Sequence, residues 1–237
     1  MQRILLFFIS LMLLSTAAVF AQESTESPSD TLAQKKRDNK YGLRLGVDLA
    51  KPLRTAIEDG YTGFEITADF GVSKRFYAAL ELGTEEKERL EENLNSIARG
   101  SYFKIGADFN AYDNWPGLNN SIFAGLRYGF SSFEQELLSY GIYTTDQSYE
   151  EFQLREEPQT FESLNASWIE LMVGVKTELF NNLFLSLNVQ LKRRISETKP
   201  ENFDNLYIPG FNRTYDESSF GVGYGYTISY LIPIFKR

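Results

Sequence analysis

Residues Phe220–Tyr230, FGVGYGYTISY, alternate without a break. Phe220, Val222, Tyr224, Tyr226, Ile228 and Tyr230 fill the even positions; Gly221, Gly223, Gly225, Thr227 and Ser229 fill the odd ones. A period of two marks a β-strand whose two faces meet different surroundings. One face here is bulky and apolar or aromatic, and the other is tiny or polar. A helix would mix the two sets on every side.

The pattern recurs. Tyr41, Leu43, Leu45, Val47 and Leu49 stand against Gly42, Arg44, Gly46 and Asp48, and Lys51-Pro52 ends the run. Phe64, Ile66, Ala68 and Phe70 oppose Glu65, Thr67 and Asp69. After a short turn at Val72–Arg75, Phe76, Ala78, Leu80 and Leu82 oppose Tyr77, Ala79, Glu81 and Gly83. Phe103, Ile105, Ala107 and Phe109 oppose Lys104, Gly106, Asp108 and Asn110; Ile122–Phe130 sets its apolar residues against Gly125, Arg127 and Gly129. Ile169–Leu179 opposes Glu170, Gly174, Lys176 and Glu178, and Asn181-Asn182 makes a tight hairpin turn into Leu183–Lys192, whose polar face is Ser186, Asn188, Gln190 and Lys192. With Phe220–Tyr230 these make eight strands.

The connections alternate in length. Those after the second, fourth and sixth strands are tight or moderate, including the Pro116-Gly117 turn in Tyr112–Asn120. The others are longer: Glu-rich Thr84–Gly100, expected to hold a helical turn or two; Glu134–Leu164, where Tyr140–Thr145 suggests a hairpin projecting beyond the sheet; and polar Arg193–Ser218. The expected fold is all-β: an eight-stranded antiparallel up-and-down transmembrane β-barrel with long extracellular loops and both chain ends on the periplasmic side.

The interior of eight strands is just wide enough for side chains. The Leu, Ile, Phe and Tyr set would overfill it, so the polar face is expected inside. That assigns a barrel-interior charge network to Arg44, Asp48, Glu65, Asp69, Glu81, Lys104, Asp108, Arg127, Glu170, Lys176, Glu178 and Lys192. A cation on the lipid face costs about 2–4 kcal/mol at the midplane. Sliding one strand by a residue would expose several charges at once, which fixes the register. Tyr41, Tyr128, Trp168, Tyr230 and Phe235 fall near strand ends and suit aromatic girdles. The competing arrangement, a soluble exported barrel around an apolar ligand, would invert the two faces.

Residues 1–21 read as a signal peptide: Arg3, an apolar run Ile4–Leu14, and Val19-Phe20-Ala21 before Gln22. Residues 22–40 are polar and short of bulky side chains, a flexible periplasmic leader, and residues 41–237 form the barrel. Mean hydropathy of −0.30 opposes a helical membrane protein but not a barrel, in which only alternate residues meet lipid. A net charge of −8 excludes nucleic acid as a natural partner. There is no cysteine, hence neither a lipid-bearing cysteine nor a disulfide.

The chemistry is thin. With no histidine, a Ser-His-Asp site and His- or Cys-based zinc are excluded. Gly221, Gly223 and Gly225 lie along a strand and do not open a helix, so no dinucleotide fingerprint is present. Glu170 and Glu178 with Glu65 or Asp69 read as interior ion pairs, since buried charges need partners. Glu85, Glu86, Glu88, Glu91 and Glu92, like Glu150, Glu151, Glu156 and Glu157, read as a solvated acidic surface without EF-hand spacing. No catalytic residue, metal or cofactor is expected.

The runs YGLRLGVDLAKPLR (Tyr41–Arg54), YTGFEITADFGVSKRFYAALELGTEEK (Tyr61–Lys87) and WIELMVGVKTELFNNLFLSLN (Trp168–Asn188) resemble an uncharacterised family of small exported β-barrel proteins from Bacteroidota, and the architecture is similar to OmpA/OmpX-type barrels. The resemblance implies the outer membrane and no established activity. The ending Tyr230–Arg237, YLIPIFKR, resembles the C-terminal signal read by the barrel-insertion machinery, with Lys236 and Arg237 beyond the aromatic Phe235 and Pro233 breaking the strand late. The expected partners are outer-membrane lipid, that machinery, and an extracellular ligand at the loops. The expected role is structural or adhesive and non-enzymatic; narrow-lumen transport of ions or small solutes is the alternative.

Overall fold

A computed structural model describes residues 40–112, 120–143, 152–214 and 218–236. The expected signal peptide, the leader up to residue 39, the Pro116-Gly117 turn, and Glu150 and Glu151 lie outside them. The elements are β1 (Lys40–Asp48), α1 (Ala50–Ile57), β2 (Tyr61–Gly71), β3 (Phe76–Glu91), β4 (Leu94–Asn110), β5 (Ser121–Tyr143), β6 (Phe152–Arg155), β7 (Gln159–Phe180), β8 (Leu183–Glu197), β9 (Tyr207–Ile208), β10 (Asn212–Arg213) and β11 (Phe220–Lys236). Eight of these strands form an antiparallel sheet that closes into a ring in the order β1-β2-β3-β4-β5-β7-β8-β11, with β11 returning to β1. Strand β6 pairs with the far end of β5, beyond the ring.

Cross-strand pairing explains the register. Arg44 lies opposite Asp69, Glu81 opposite Lys104, Arg127 opposite Glu170, and Glu170 opposite Lys192. Opposite charges directly across a sheet are favourable, and a one-residue slip of any of these strands would break the pair it carries, or both pairs in the case of β7. The charged face is the inner one: Lys104, Lys192 and Arg127 are almost completely buried and Glu170 is 0% exposed. The apolar residues face outward, with Leu187 at 50%, Val189 at 61% and Val222 at 76% exposure. On β8 this outer band runs from Leu183 to Leu191; at ~3.4 Å per residue and ~40° of tilt it stands about 20 Å tall. Trp168 shares the parity of Glu170, and its indole is fully buried inside, not in an outer girdle. Tyr128 and Tyr230 do lie exposed on the outer face.

Three connections and one strand end differ from expectation. Thr84–Gly100 is not a loop: β3 and β4 continue through it and join at a two-residue turn, Glu92-Asn93. The strand period is hidden there because both faces are polar, with Thr84, Glu86 and Glu88 outward and Glu85, Lys87 and Arg89 inward. Ladder bonds to β5 hold the segment in place of side-chain contrast. After β1 the chain enters α1, whose first turn contains Pro52; its missing N–H is harmless there. The Asp48 carboxylate accepts from the Ala50 N–H at 2.7 Å and so starts the helix. Pro233 does not end β11, which runs to Lys236 because a bulge at Tyr41/Gly42 absorbs the irregularity. Arg193–Glu197 continues β8, and Tyr207–Phe211 of the connection that follows turns back into the open end of the ring. Tyr140–Tyr143, within the stretch expected to form a projecting hairpin, is the end of β5 and pairs with β6.

Close approach demands glycine at Gly129, where a Cβ would stand against the Trp168 indole. Gly129→Val is expected to destabilise the protein by about 1–3 kcal/mol through overpacking, read as a lowered midpoint in thermal unfolding followed by circular dichroism. Ala124→Val, on the outer face of the same strand, provides the contrast and should change little.

Candidate functional site

The end of the ring holding Val72–Arg75 and Asn181-Asn182 is called the base, and the other end the mouth. Near the base, Asp69 accepts from Arg44 Nε at 2.5 Å and from Lys176 Nζ at 2.7 Å. Midway, Arg127 joins Asp108 at 2.7 Å to Glu81 at 3.0 Å. Lys104 donates to Glu81 at 2.8 Å and stands 3.2 Å from Glu65 and 3.9 Å from Glu170. Lys192 is 3.8 Å from Glu170 and donates to the Gly210 carbonyl at 2.7 Å. Tyr102 donates to Glu65 at 2.5 Å.

Two members of the expected network are engaged differently. Asp48 is buried inside, but its carboxylate accepts backbone N–H groups from Ala50 and Tyr226. Glu178 is half-buried at the base, away from the central cluster, where it accepts from the Asn182 N–H at 2.8 Å in the β7–β8 turn. Its parity matches Lys176, but at the strand end it accepts from a turn N–H.

Above this network the mouth is closed by two segments. Helix α1 inserts Lys51, and the β8–β11 connection inserts Tyr207–Phe211. Both converge on Glu85, which is 2% exposed. Its carboxylate accepts from Lys51 Nζ, from the Tyr61 hydroxyl at 3.0 Å, from the Tyr207 hydroxyl at 2.7 Å and from the Gly210 N–H at 2.9 Å. Gln135 clamps the same connection, donating to the Asp204 carbonyl at 3.0 Å and accepting from the Leu206 N–H at 2.9 Å. Ile208 and Phe211 are buried against Tyr102, Phe133, Leu164, Ala166 and Trp168. Phe211 meets Trp168 edge-on at 5.9 Å, and Phe203 stacks on Phe161 at 6.4 Å. Full burial of Ile208 and Phe211 is worth roughly 1.5–3 kcal/mol each.

This plug was not legible as such in the sequence. Its signal is the apolar run Leu206–Phe211, LYIPGF, inside an otherwise polar connection. Burial, with the Glu85 charge beside it, holds the Tyr207 phenol well above its ordinary range, so it remains a hydrogen-bond donor.

Beside the plug a cleft of about 510 Å³ opens at the mouth, lined by the inner face of the β3 tip, the α1–β2 turn, Ser96 and Ala98 of β4, and Leu206 and Tyr207. Arg54 bonds Glu58 at 2.9 Å and lies 3.8 Å over the Tyr61 ring. Lys87 lies 2.9 Å from Glu58, and Arg89 2.7 Å from Glu91. The hydrogen bond from Arg54 keeps the Glu58 carboxyl below its ordinary range against a smaller opposing effect of burial. Two cavities deeper in the lumen measure about 40 and 30 Å³, room for water and not for a solute. Among the described residues no group of His, Cys, Asp and Glu is placed to hold a metal ion.

The molecule is thus an antiparallel β-ring, apolar outside and ionic inside, with a plug in its mouth. The chain belongs to the family described as a domain of unknown function, DUF6048, whose model matches residues 4–237. A comparison with curated proteins returns no match.

Proposed function

We propose that this protein is a small, non-enzymatic outer-membrane β-barrel that presents its plugged mouth to the cell exterior for surface interaction. The observation that carries the reading is the inverted distribution of side chains: Leu, Ile, Val and Tyr around the outside, and ion pairs within. In water such a surface is a liability; in lipid it is the stable choice. The band of about 20 Å approaches the ~25 Å expected for outer-membrane barrels. The signal peptide of residues 1–21 and a C-terminal strand suited to the insertion machinery agree with export to that membrane.

The filled lumen and the plug favour a surface role over transport of ions or solutes. They equally disfavour a soluble carrier of an apolar ligand, because the interior offers such a ligand only charges. A structural or adhesive role, with a ligand met at the mouth, is what remains.

The test places one charge at two heights. Leu187→Arg, midway up the band, is expected to cost about 2–4 kcal/mol in lipid vesicles. Thr84→Arg, on the outer face above the band, is expected to cost under ~0.5 kcal/mol. Urea unfolding in vesicles gives both values. Equal costs, or recovery of the native protein in periplasmic fluid without detergent, would refute the membrane location.

A further inference from the structure

Strand β1 is too short for the wall it belongs to. It ends at Asp48, opposite Thr227 of β11, and its pairing with β2 ends at Val47, opposite Ile66. Beyond those points β11 runs on to Phe220 and β2 to Tyr61, each in a ladder with its other neighbour alone. Helix α1 stands in the slot between them. The Leu49 N–H at its start donates to the Tyr226 carbonyl at 2.6 Å, and the Gly63 N–H donates to the Thr55 hydroxyl at 3.0 Å, so α1 is tied to both flanking strands. Its two charged side chains point inward: Lys51 is buried on Glu85, and Arg54 lies over the Tyr61 ring. Leu53 and Ile57, one turn apart, point outward and are 57% and 75% exposed, with Pro52 and Ala56 exposed beside them. A surface helix in water does the reverse, turning its apolar stripe to the core and its charges to solvent. α1 repeats the inversion of the strands. Its outer stripe also continues the apolar surface at either edge of the slot, where Tyr224 and Val222 of β11 and Phe64 of β2 are exposed. Thr227, where β1 stops, pairs with Ser186, inside the apolar stretch Leu183–Leu191 of β8, so the slot begins within the band.

We propose that the outer face of α1 is seated in lipid, at the boundary between headgroups and acyl chains on the mouth side. The proposal rests on the membrane reading and adds to it a contact made by a helix. Lipid is the occupant that the surroundings fit. The stripe is flanked by apolar side chains of the band, and α1 contributes no outward charge to orient a protein partner. A helix pairs its own peptide groups, so it closes a slot that an irregular loop would leave with unpaired N–H and C=O groups in hydrocarbon. Interfacial helices sink their apolar face about 5–10 Å into that boundary. α1 is thereby held from two sides, by lipid on its outer face and by Glu85, through Lys51, on its inner one.

The chain has no cysteine, so Leu53→Cys and Ile57→Cys each create one labelling site. Leu187→Cys, in the band, and Glu92→Cys, in the exposed β3–β4 turn, are the references. Each full-length variant, its fold verified by circular dichroism, is labelled with bimane and placed in phospholipid nanodiscs. Two quenchers are compared: a lipid bearing a nitroxide near the glycerol end of its acyl chain, and iodide in the water. The spin-labelled lipid is expected to quench the labels on α1 at least as strongly as the label at Leu187→Cys, and iodide to quench them several-fold less than the label at Glu92→Cys. Should lipid quench the Leu187→Cys label while iodide quenches those on α1 as it does Glu92→Cys, the helix faces water: the proposal falls and the membrane reading stands. Protection of the α1 labels from both quenchers means that another protein surface covers the helix, which equally overturns the proposal. Should iodide reach Leu187→Cys as readily as Glu92→Cys, the membrane reading itself fails and takes this inference with it.

Discussion

Glu85→Ala is expected to free the plug. Lys51, two tyrosine hydroxyls and the Gly210 N–H all lose their acceptor at once. Lys51 is left as a buried, unpaired cation, a situation that typically costs about 3–5 kcal/mol. Since ~1.4 kcal/mol is a factor of ten, opening of the plug at Tyr207–Phe211 should rise by about two to three and a half orders of magnitude. Limited trypsin digestion reads this as faster cleavage after Arg213, in the same connection, in the variant. Glu86→Ala, one residue along and facing outward, should leave the rate near that of the native protein. Planar-bilayer recordings of Glu85→Ala should remain without steady unitary currents, because the Lys104–Glu81–Arg127 cluster below the plug is intact. Cleavage unchanged from native would mean that Ile208, Phe211 and the Gln135 clamp hold the plug without the carboxylate.

Lys104→Met should have the other large effect. Lys104 stands among Glu65, Glu81 and Glu170, at 3.2, 2.8 and 3.9 Å. Removing it takes the shared cation from three buried carboxylates; Glu81 keeps Arg127 and Glu170 keeps Lys192, which leaves Glu65 stranded. The loss is expected at the upper end of about 3–5 kcal/mol, measured as a lowered urea midpoint. Adding Glu65→Gln should restore part of it, since the stranded charge is then gone. Such recovery is non-additive and identifies an electrostatic cause. A double variant no more stable than the single one would mean that the loss does not come from the stranded Glu65 charge.

The ring was legible wherever the two faces of a strand differ in chemistry. Leu183–Lys192 and Phe220–Tyr230 announce their register because no residue in them is ambiguous. The inward placement of Glu81, Lys104, Arg127 and Glu170 followed from parity; Trp168, expected in an outer girdle, shares that parity and is buried inside. Parity alone does not show which partner a buried carboxylate finds, and Asp48 and Glu178 took backbone donors. Thr84–Gly100 defeated the period because hydration permits polar groups on both faces above the apolar band. Glu85 was obscured by its neighbours Glu86 and Glu88, although its spacing of four from Glu81 puts it on the inner face. The plug depends on contacts between positions as distant as Glu85 and Gly210, and no local pattern encodes those.

The seam of the ring joins the first strand to the last, with Leu45 beside Tyr230 and Asp48 beside Thr227. Nearly the whole polypeptide lies between those partners, so the sheet cannot be completed until synthesis is nearly over. Contacts this remote in sequence make for slow assembly. Until β11 arrives, β1 and β8 each present a bare edge able to capture a neighbouring molecule. Timing is therefore part of the architecture: the newly made chain must be kept from its siblings until its own tail arrives to zip it shut.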